Sequence, residues 1–80
     1  MSDISKNIKN TIAQQLEIKE GRVIGSARII DDLGADSLDI IELLSILEEK
    51  FDIQIPDEDS NRITTVDYLI SYIEEKKTKE

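Results

Sequence analysis

The chain has 80 residues, ten basic against eighteen acidic for a formal net charge of −8, and it contains neither histidine nor cysteine. That length supports one small domain held by an apolar core, with no disulfide framework, and it lacks both the commonest general base and the strongest nucleophile. Between Asp31 and Ser60 eleven acids stand against one base, Lys50, a net of −10 that leaves about +2 for the remainder. Such a field argues against nucleic-acid binding, and it steers basic protein surfaces towards the middle of the chain. No apolar run reaches the roughly 18 residues of a membrane span. The start, Met1-Ser2-Asp3-Ile4-Ser5-Lys6, lacks the layout of a signal peptide. The expectation is a cytoplasmic monomer with a mostly aliphatic core, since Phe51, Tyr68 and Tyr72 are the only aromatic residues.

Ile4, Ile8, Ile12 and Leu16 recur every four residues and predict a first amphipathic helix, with Thr11 and Gln15 at the edge of its stripe. It should stop before Gly21. Residues 18–36 keep no period; Val23, Ile29, Ile30 and Leu33 are spaced as anchors, so this stretch reads as an ordered loop pinned by those four, with one short helical turn. Loops of that length are commonly functional. From Asp36 the helical period returns: Ile40, Leu43, Leu44, Leu47 and Phe51 make a core-facing stripe. Asp36 is the expected N-cap, and Asp39 adds a carboxylate to the first turn.

Pro56 interrupts, and Asp57-Glu58-Asp59 suit the first turn of a short helix ending near Arg62. Thr64 and Asp67 resemble a capping box, opening a last helix with Val66, Leu69, Ile70 and Ile73 turned inward and a frayed tail over residues 77–80. Three main helices and one short one define an all-α, small four-helix bundle with a long ordered loop between the first two helices. Residues 1–80 read as a single domain, its core over 3–76.

Ser37 stands just inside the second helix, where serine is ordinarily structural. A phosphate esterified there would lie beside backbone N–H groups at the positive end of the helix dipole. Gly34-Ala35 before it are small and allow close approach. Leu38 and Ile41 lie off the core stripe. With Asp36, Asp39, Glu42, Glu48 and Glu49 they outline an apolar ridge bordered by acids, the form of a docking surface. The plain alternative is that Leu38 and Ile41 tuck against the long loop.

The run Asp32-Leu33-Gly34-Ala35-Asp36-Ser37-Leu38-Asp39-Ile40-Ile41-Glu42-Leu43 resembles the phosphopantetheine attachment site of acyl carrier proteins of the discrete bacterial (type II) kind. The similarity continues through Leu47-Glu48-Glu49-Lys50-Phe51, Ile55-Pro56-Asp57-Glu58 and Ile63-Thr64-Thr65-Val66, nearly the whole chain. The resemblance implies a non-catalytic carrier whose Ser37 is converted by a holo-acyl-carrier-protein synthase, using coenzyme A, into a 4′-phosphopantetheine ester. The thiol of that arm carries acyl groups as thioesters in fatty acid biosynthesis. It assigns docking to Asp36, Leu38, Asp39, Ile41, Glu42, Glu48 and Glu49, against basic patches on fatty-acid synthesis enzymes. It makes Ile55, Ile63 and Leu69 candidate acyl-cavity positions.

Some positions depart from the family pattern. Ser45 stands where many relatives carry methionine, and Tyr68 and Leu69 where small residues are common. The loop from Gly21 to Arg28 is more basic and more apolar than is typical. A carrier for a polyketide, a specialised lipid or an aminoacyl pathway is the near alternative, and an unmodified acidic module that binds protein partners is the distant one. A calcium-binding helix pair around Asp31, Asp32, Asp36 and Asp39 lacks the spacing of the twelve-residue loop, so loose divalent-ion binding but no dedicated metal site is expected. A hydrolase lacks a base near Ser37.

Overall fold

Four helices form, α1 over Asp3–Leu16, α2 over Ser37–Phe51, α3 over Asp57–Ser60 and α4 over Val66–Thr78, with one 3-10 turn at Glu20–Arg22. The computed structural model describes residues 3–78; Met1 and Ser2, from the predicted leaderless start, and residues 79 and 80, from the tail expected to fray, lie outside the described residues. An isolated bridge between Arg28 and Thr65 is the only β feature among the described residues, so the all-α four-helix fold is the one the periodicity predicts.

Helix α1 packs against both α2 and α4, because its four-residue stripe places Ile8 and Ile12 fully inside, with Ile4 and Leu16 partly covered. Thr11, at the stripe's edge, is 3% exposed; its hydroxyl donates to the Asn7 carbonyl at 2.8 Å and accepts from Lys50 Nζ at 3.1 Å. A buried hydroxyl so paired costs little to desolvate. The helix stops at Leu16, well before Gly21, because Glu17 takes the left-handed conformation with φ 56°. Ile18 N–H then reaches the Ala13 carbonyl at 3.0 Å and Glu17 N–H the Gln14 carbonyl at 3.4 Å, a Schellman closure with glutamate where glycine is usual. Helix α2 ends the same way: Asp52 has φ 54°, and Ile53 N–H donates to the Glu48 carbonyl at 3.1 Å. Lys77 Nζ, from α4, donates to the Phe51 carbonyl at 3.0 Å, a cation at the negative end of α2.

The long loop is ordered and carries a short helical turn as expected, but only three of its four anchors are inside. Val23, Ile29 and Leu33 are buried together with Ala27 and Ala35, whereas Ile30 is 52% exposed. Residues 28–34 wind into a turn in which Asp32 and Leu33 N–H donate to the Arg28 carbonyl at 2.8 and 3.1 Å, and Gly34 N–H to that of Ile30 at 3.1 Å. Ile29 and Leu33, four apart, share the inner side of such a turn, and Ile30 must face out. Gly34 closes it with φ 81°, a conformation glycine adopts without steric cost.

The loop is then fastened to the head of α4. Ile29 N–H donates to the Thr64 carbonyl at 2.9 Å, Val66 N–H to that of Ala27 at 3.0 Å and Asp67 N–H to that of Gly25 at 2.9 Å. The last two satisfy the first-turn donors Val66 and Asp67 of α4, so the capping box expected from Thr64 and Asp67 does not form. The cap is Thr65, whose Oγ1 accepts from Tyr68 N–H at 3.1 Å. Asp67 instead lays its carboxylate over Gly25, where a Cβ would overlap it.

Helix α3 begins as Asp59 and Ser60 N–H donate to the Pro56 carbonyl, both at 3.0 Å, and closes at Ser60, two residues before Arg62. Tyr72 OH, from α4, donates to Asp59 Oδ2 at 2.6 Å and ties α3 to the bundle. Burial, and then that bond, push the Tyr72 phenol well above its usual pKa. Lys76 Nζ sits 5.4 Å from the centre of the same ring.

Candidate functional site

Asp36 is extended, with φ −102°, and begins α2 through a reciprocal capping box. Asp39 N–H donates to Asp36 Oδ1 at 2.8 Å and Asp36 N–H to Asp39 Oδ2 at 3.2 Å. The pair makes Ser37 the first helical residue, exposed to solvent, where the first-turn N–H groups of Ser37 and Leu38 have no intrahelical acceptor. The small residues before it have structural reasons of their own, the positive φ of Gly34 and the burial of Ala35 at 4% exposure.

Ser37 lies at a cleft of about 750 Å³ between the turn of residues 28–31, the start of α2, and α3 with the strap that follows it. Four isoleucines, Ile30, Ile40, Ile41 and Ile63, form its apolar wall, and Arg28, Asp31, Asp57, Ser60, Asn61 and Thr64 its polar one. Ile40, on the α2 stripe, is half-buried, and Ile30, spaced as a loop anchor, is exposed, because both face this cleft. Arg28, Ser60, Asn61 and Thr64 were not singled out as site residues. Ser60, Asn61 and Thr64 lie within one short stretch, and only the docking of the loop on the head of α4 brings Arg28 to them.

The seven positions of the acidic ridge divide by what they already do. Leu38 and Ile41 are each 61% exposed, so the reading that tucks them against the loop is wrong. Glu42, Ser45 and Glu49 are exposed too, and spacings of three, four, seven and eleven from Leu38 place all five on one face of α2, opposite the buried Leu43, Leu47 and Phe51. Glu42 Oε2 accepts from Gln15 Nε2 at 2.9 Å on the surface. Asp36 and Asp39 are engaged in the capping box. Glu48 is half-buried, and its Oε2 accepts from Ile55 N–H at 2.8 Å, bracing the link between α2 and α3.

Of the three cavity candidates Ile63 lines the cleft, while Ile55 and Leu69 are core residues, 8% and 0% exposed. Tyr68 is 42% exposed on the outside of α4. Three of the four acids of the calcium-ligand alternative hold backbone instead: besides the capping pair, Asp32 Oδ2 accepts from Arg28 N–H at 2.8 Å, while Asp31 Oδ2 meets Arg28 Nη1 at 3.5 Å. No group of three or more acids converges as a metal site among the described residues.

An exposed hydroxyl at the head of a helix, opening on a cleft with one apolar and one hydrogen-bonding wall, suits a covalently attached arm that has both apolar and amide segments. Residues 6–73 match the protein family described as phosphopantetheine attachment site. The chain belongs to that family, and its cofactor is 4′-phosphopantetheine. No helix among the described residues is long and apolar enough to cross a membrane.

Proposed function

We propose that the chain is a discrete acyl carrier protein of the bacterial type, a single domain over residues 1–80, which carries growing acyl chains for fatty acid biosynthesis on an arm fastened at Ser37. The observation that carries this reading is the exposed Ser37 hydroxyl at the head of α2, on the edge of the cleft, within a chain of the phosphopantetheine attachment family. Ser37 Oγ attacks the coenzyme A phosphorus nearest the pantetheine. A new P–O bond forms as the pyrophosphate bond breaks, and the adenosine bisphosphate leaves. With no histidine in the chain, the hydroxyl proton goes to a base of the holo-acyl-carrier-protein synthase. When attached, the arm supplies the thiol that a cysteine-free chain lacks.

Leu38, Ile41, Glu42 and Glu49 form the outward face on which partner enzymes with basic patches dock, charge steering the encounter and the aliphatic pair giving contact. Asp36, Asp39 and Glu48 add negative charge beside that face while holding local structure. The protein acts in the cytoplasm as a monomer. A carrier for a polyketide, a specialised lipid or an aminoacyl group is the second reading, favoured by the polar wall of Arg28, Ser60, Asn61 and Thr64.

Incubation with coenzyme A and a holo-synthase should raise the intact mass by one phosphopantetheine in the native chain and leave Ser37→Ala unchanged. A mass that never rises, or that still rises in Ser37→Ala, refutes attachment at Ser37. Mass spectrometry of protein purified from its native cells identifies the acyl group, and a recovered polyketide or aminoacyl thioester moves the assignment to the second reading.

A further inference from the structure

We propose that Arg28 is the anion-binding residue of the Ser37 cleft and holds a negative charge brought there by the arm, either its phosphodiester or a carboxylate on the carried group. The inference rests on attachment at Ser37 and goes beyond it by giving the cleft a polarity. Arg28 is the only cation among the residues lining the cleft, which also bears the carboxylates of Asp31 and Asp57. A phosphodiester on Ser37 adds a further negative charge beside Asp36 and Asp39, within the roughly 8 Å over which charges act at physiological salt. The first-turn N–H groups of α2 offset part of that charge, and in a chain of net charge −8 a cation at the same cleft offsets more.

The backbone of Arg28 is rigidly held. Its N–H donates to Asp32 Oδ2 at 2.8 Å, its carbonyl accepts from Asp32 and Leu33 N–H at 2.8 and 3.1 Å, and it bridges to Thr65. The side chain, by contrast, is loosely committed. Nη1 meets Asp31 Oδ2 at 3.5 Å, and the two side chains are 66% and 67% exposed. A long, solvated ion pair of this kind contributes little, and it readily gives way to a phosphate or carboxylate that takes the guanidinium fork through two N–H donors. Asp31 then serves as the resting partner, keeping the cation at the cleft until the arm's anion replaces it.

The test follows the Arg28 Nε–H signal by nitrogen-15 NMR of the full chain in unmodified, phosphopantetheinylated, butyryl-loaded and succinyl-loaded forms, each verified by intact mass. Arg28→Gln assigns the signal and keeps every backbone bond of the turn, which circular dichroism checks. A shifted signal with several-fold slower exchange with water on phosphopantetheinylation, equal in the butyryl and succinyl forms, identifies the phosphodiester as the ligand. A change confined to the succinyl form identifies the cargo carboxylate. An Arg28 signal identical in all four forms, in protein whose mass shows the arm in place, overturns the proposal while attachment at Ser37 stands. A mass that never rises overturns both.

Discussion

Replacing Glu48 by alanine separates two roles that the surface of α2 superimposes. In the folded protein Glu48 Oε2 accepts from Ile55 N–H at 2.8 Å, at a half-buried position on the link that sends Ile53 and Ile55 into the core. A hydrogen bond to a charged group contributes about 1.5–3 kcal/mol, and partial exposure places this one at the lower end. Removing a carboxylate from the last turn of α2 returns about 0.3 kcal/mol against the helix dipole. The expected net loss is therefore about 1.2 kcal/mol, a sizeable part of the roughly 4–12 kcal/mol that a domain of this size commands. At about 4–8 °C per kcal/mol, the midpoint should fall by about 5–10 °C.

Thermal and urea unfolding of the unmodified chain, followed by far-UV circular dichroism, measures this directly. Glu48→Gln keeps a neutral acceptor and should lose about half as much, whereas Glu49→Ala, exposed on the outer face, should stay within about 0.5 kcal/mol of the native chain. Equal midpoints for Glu48→Ala and Glu49→Ala would refute the brace. If the brace holds, slow loading of a Glu48 variant reports on folding, and the clean probe of docking is Glu42→Lys, whose effect on loading should shrink at high salt.

The two constrained glycines should respond in opposite order to the space around them. Gly34→Ala meets nothing within 4 Å yet must hold φ 81°, and should cost about 1–2 kcal/mol; Gly25→Ala overlaps only the end of the Asp67 side chain, which can rotate away for about 1 kcal/mol or less, so urea midpoints in the reverse order would contradict this account. Glu17→Gly at the left-handed end of α1 should stabilise by about 0.5–1 kcal/mol in the same assay, and a loss would show that Glu17 is not strained. Tyr72→Phe removes the bond to Asp59 and should cost about 1 kcal/mol at neutral pH. Because the folded phenol pKa is raised, that contribution is complete below the unfolded value of about 10 and is lost as pH rises through the folded one. The native chain should therefore lose stability above pH ~10 more steeply than Tyr72→Phe, and parallel alkaline profiles would count against the Tyr72–Asp59 tie.

Local rules sufficed for the elements that bury one face. The four-residue stripe of α1 and the stripes of α2 and α4 could be read from spacing alone, because a helix must turn such a stripe inward. The Asp36 cap could be read as well, since capping uses groups three residues apart. With these came the position of Ser37 at a helix head, whereas spacing left the exposure of Leu38 and Ile41 open and only the folded structure decided it. What sequence could not supply was any feature made by segments distant along the chain. Thr64 lost the cap to Thr65 because loop carbonyls already satisfy the first turn of α4. Ile30 left the core because the turn closing at Gly34 points it outward. Glu48 left the outer face for a backbone N–H seven residues away. The cleft itself, with Arg28 and Ser37 on its walls, exists only once the loop is fastened to α4 and Tyr72 holds α3 in place. Periodicity records which side of an element meets apolar surroundings, and it carries no information about which of two competing polar partners lies nearer in the folded chain.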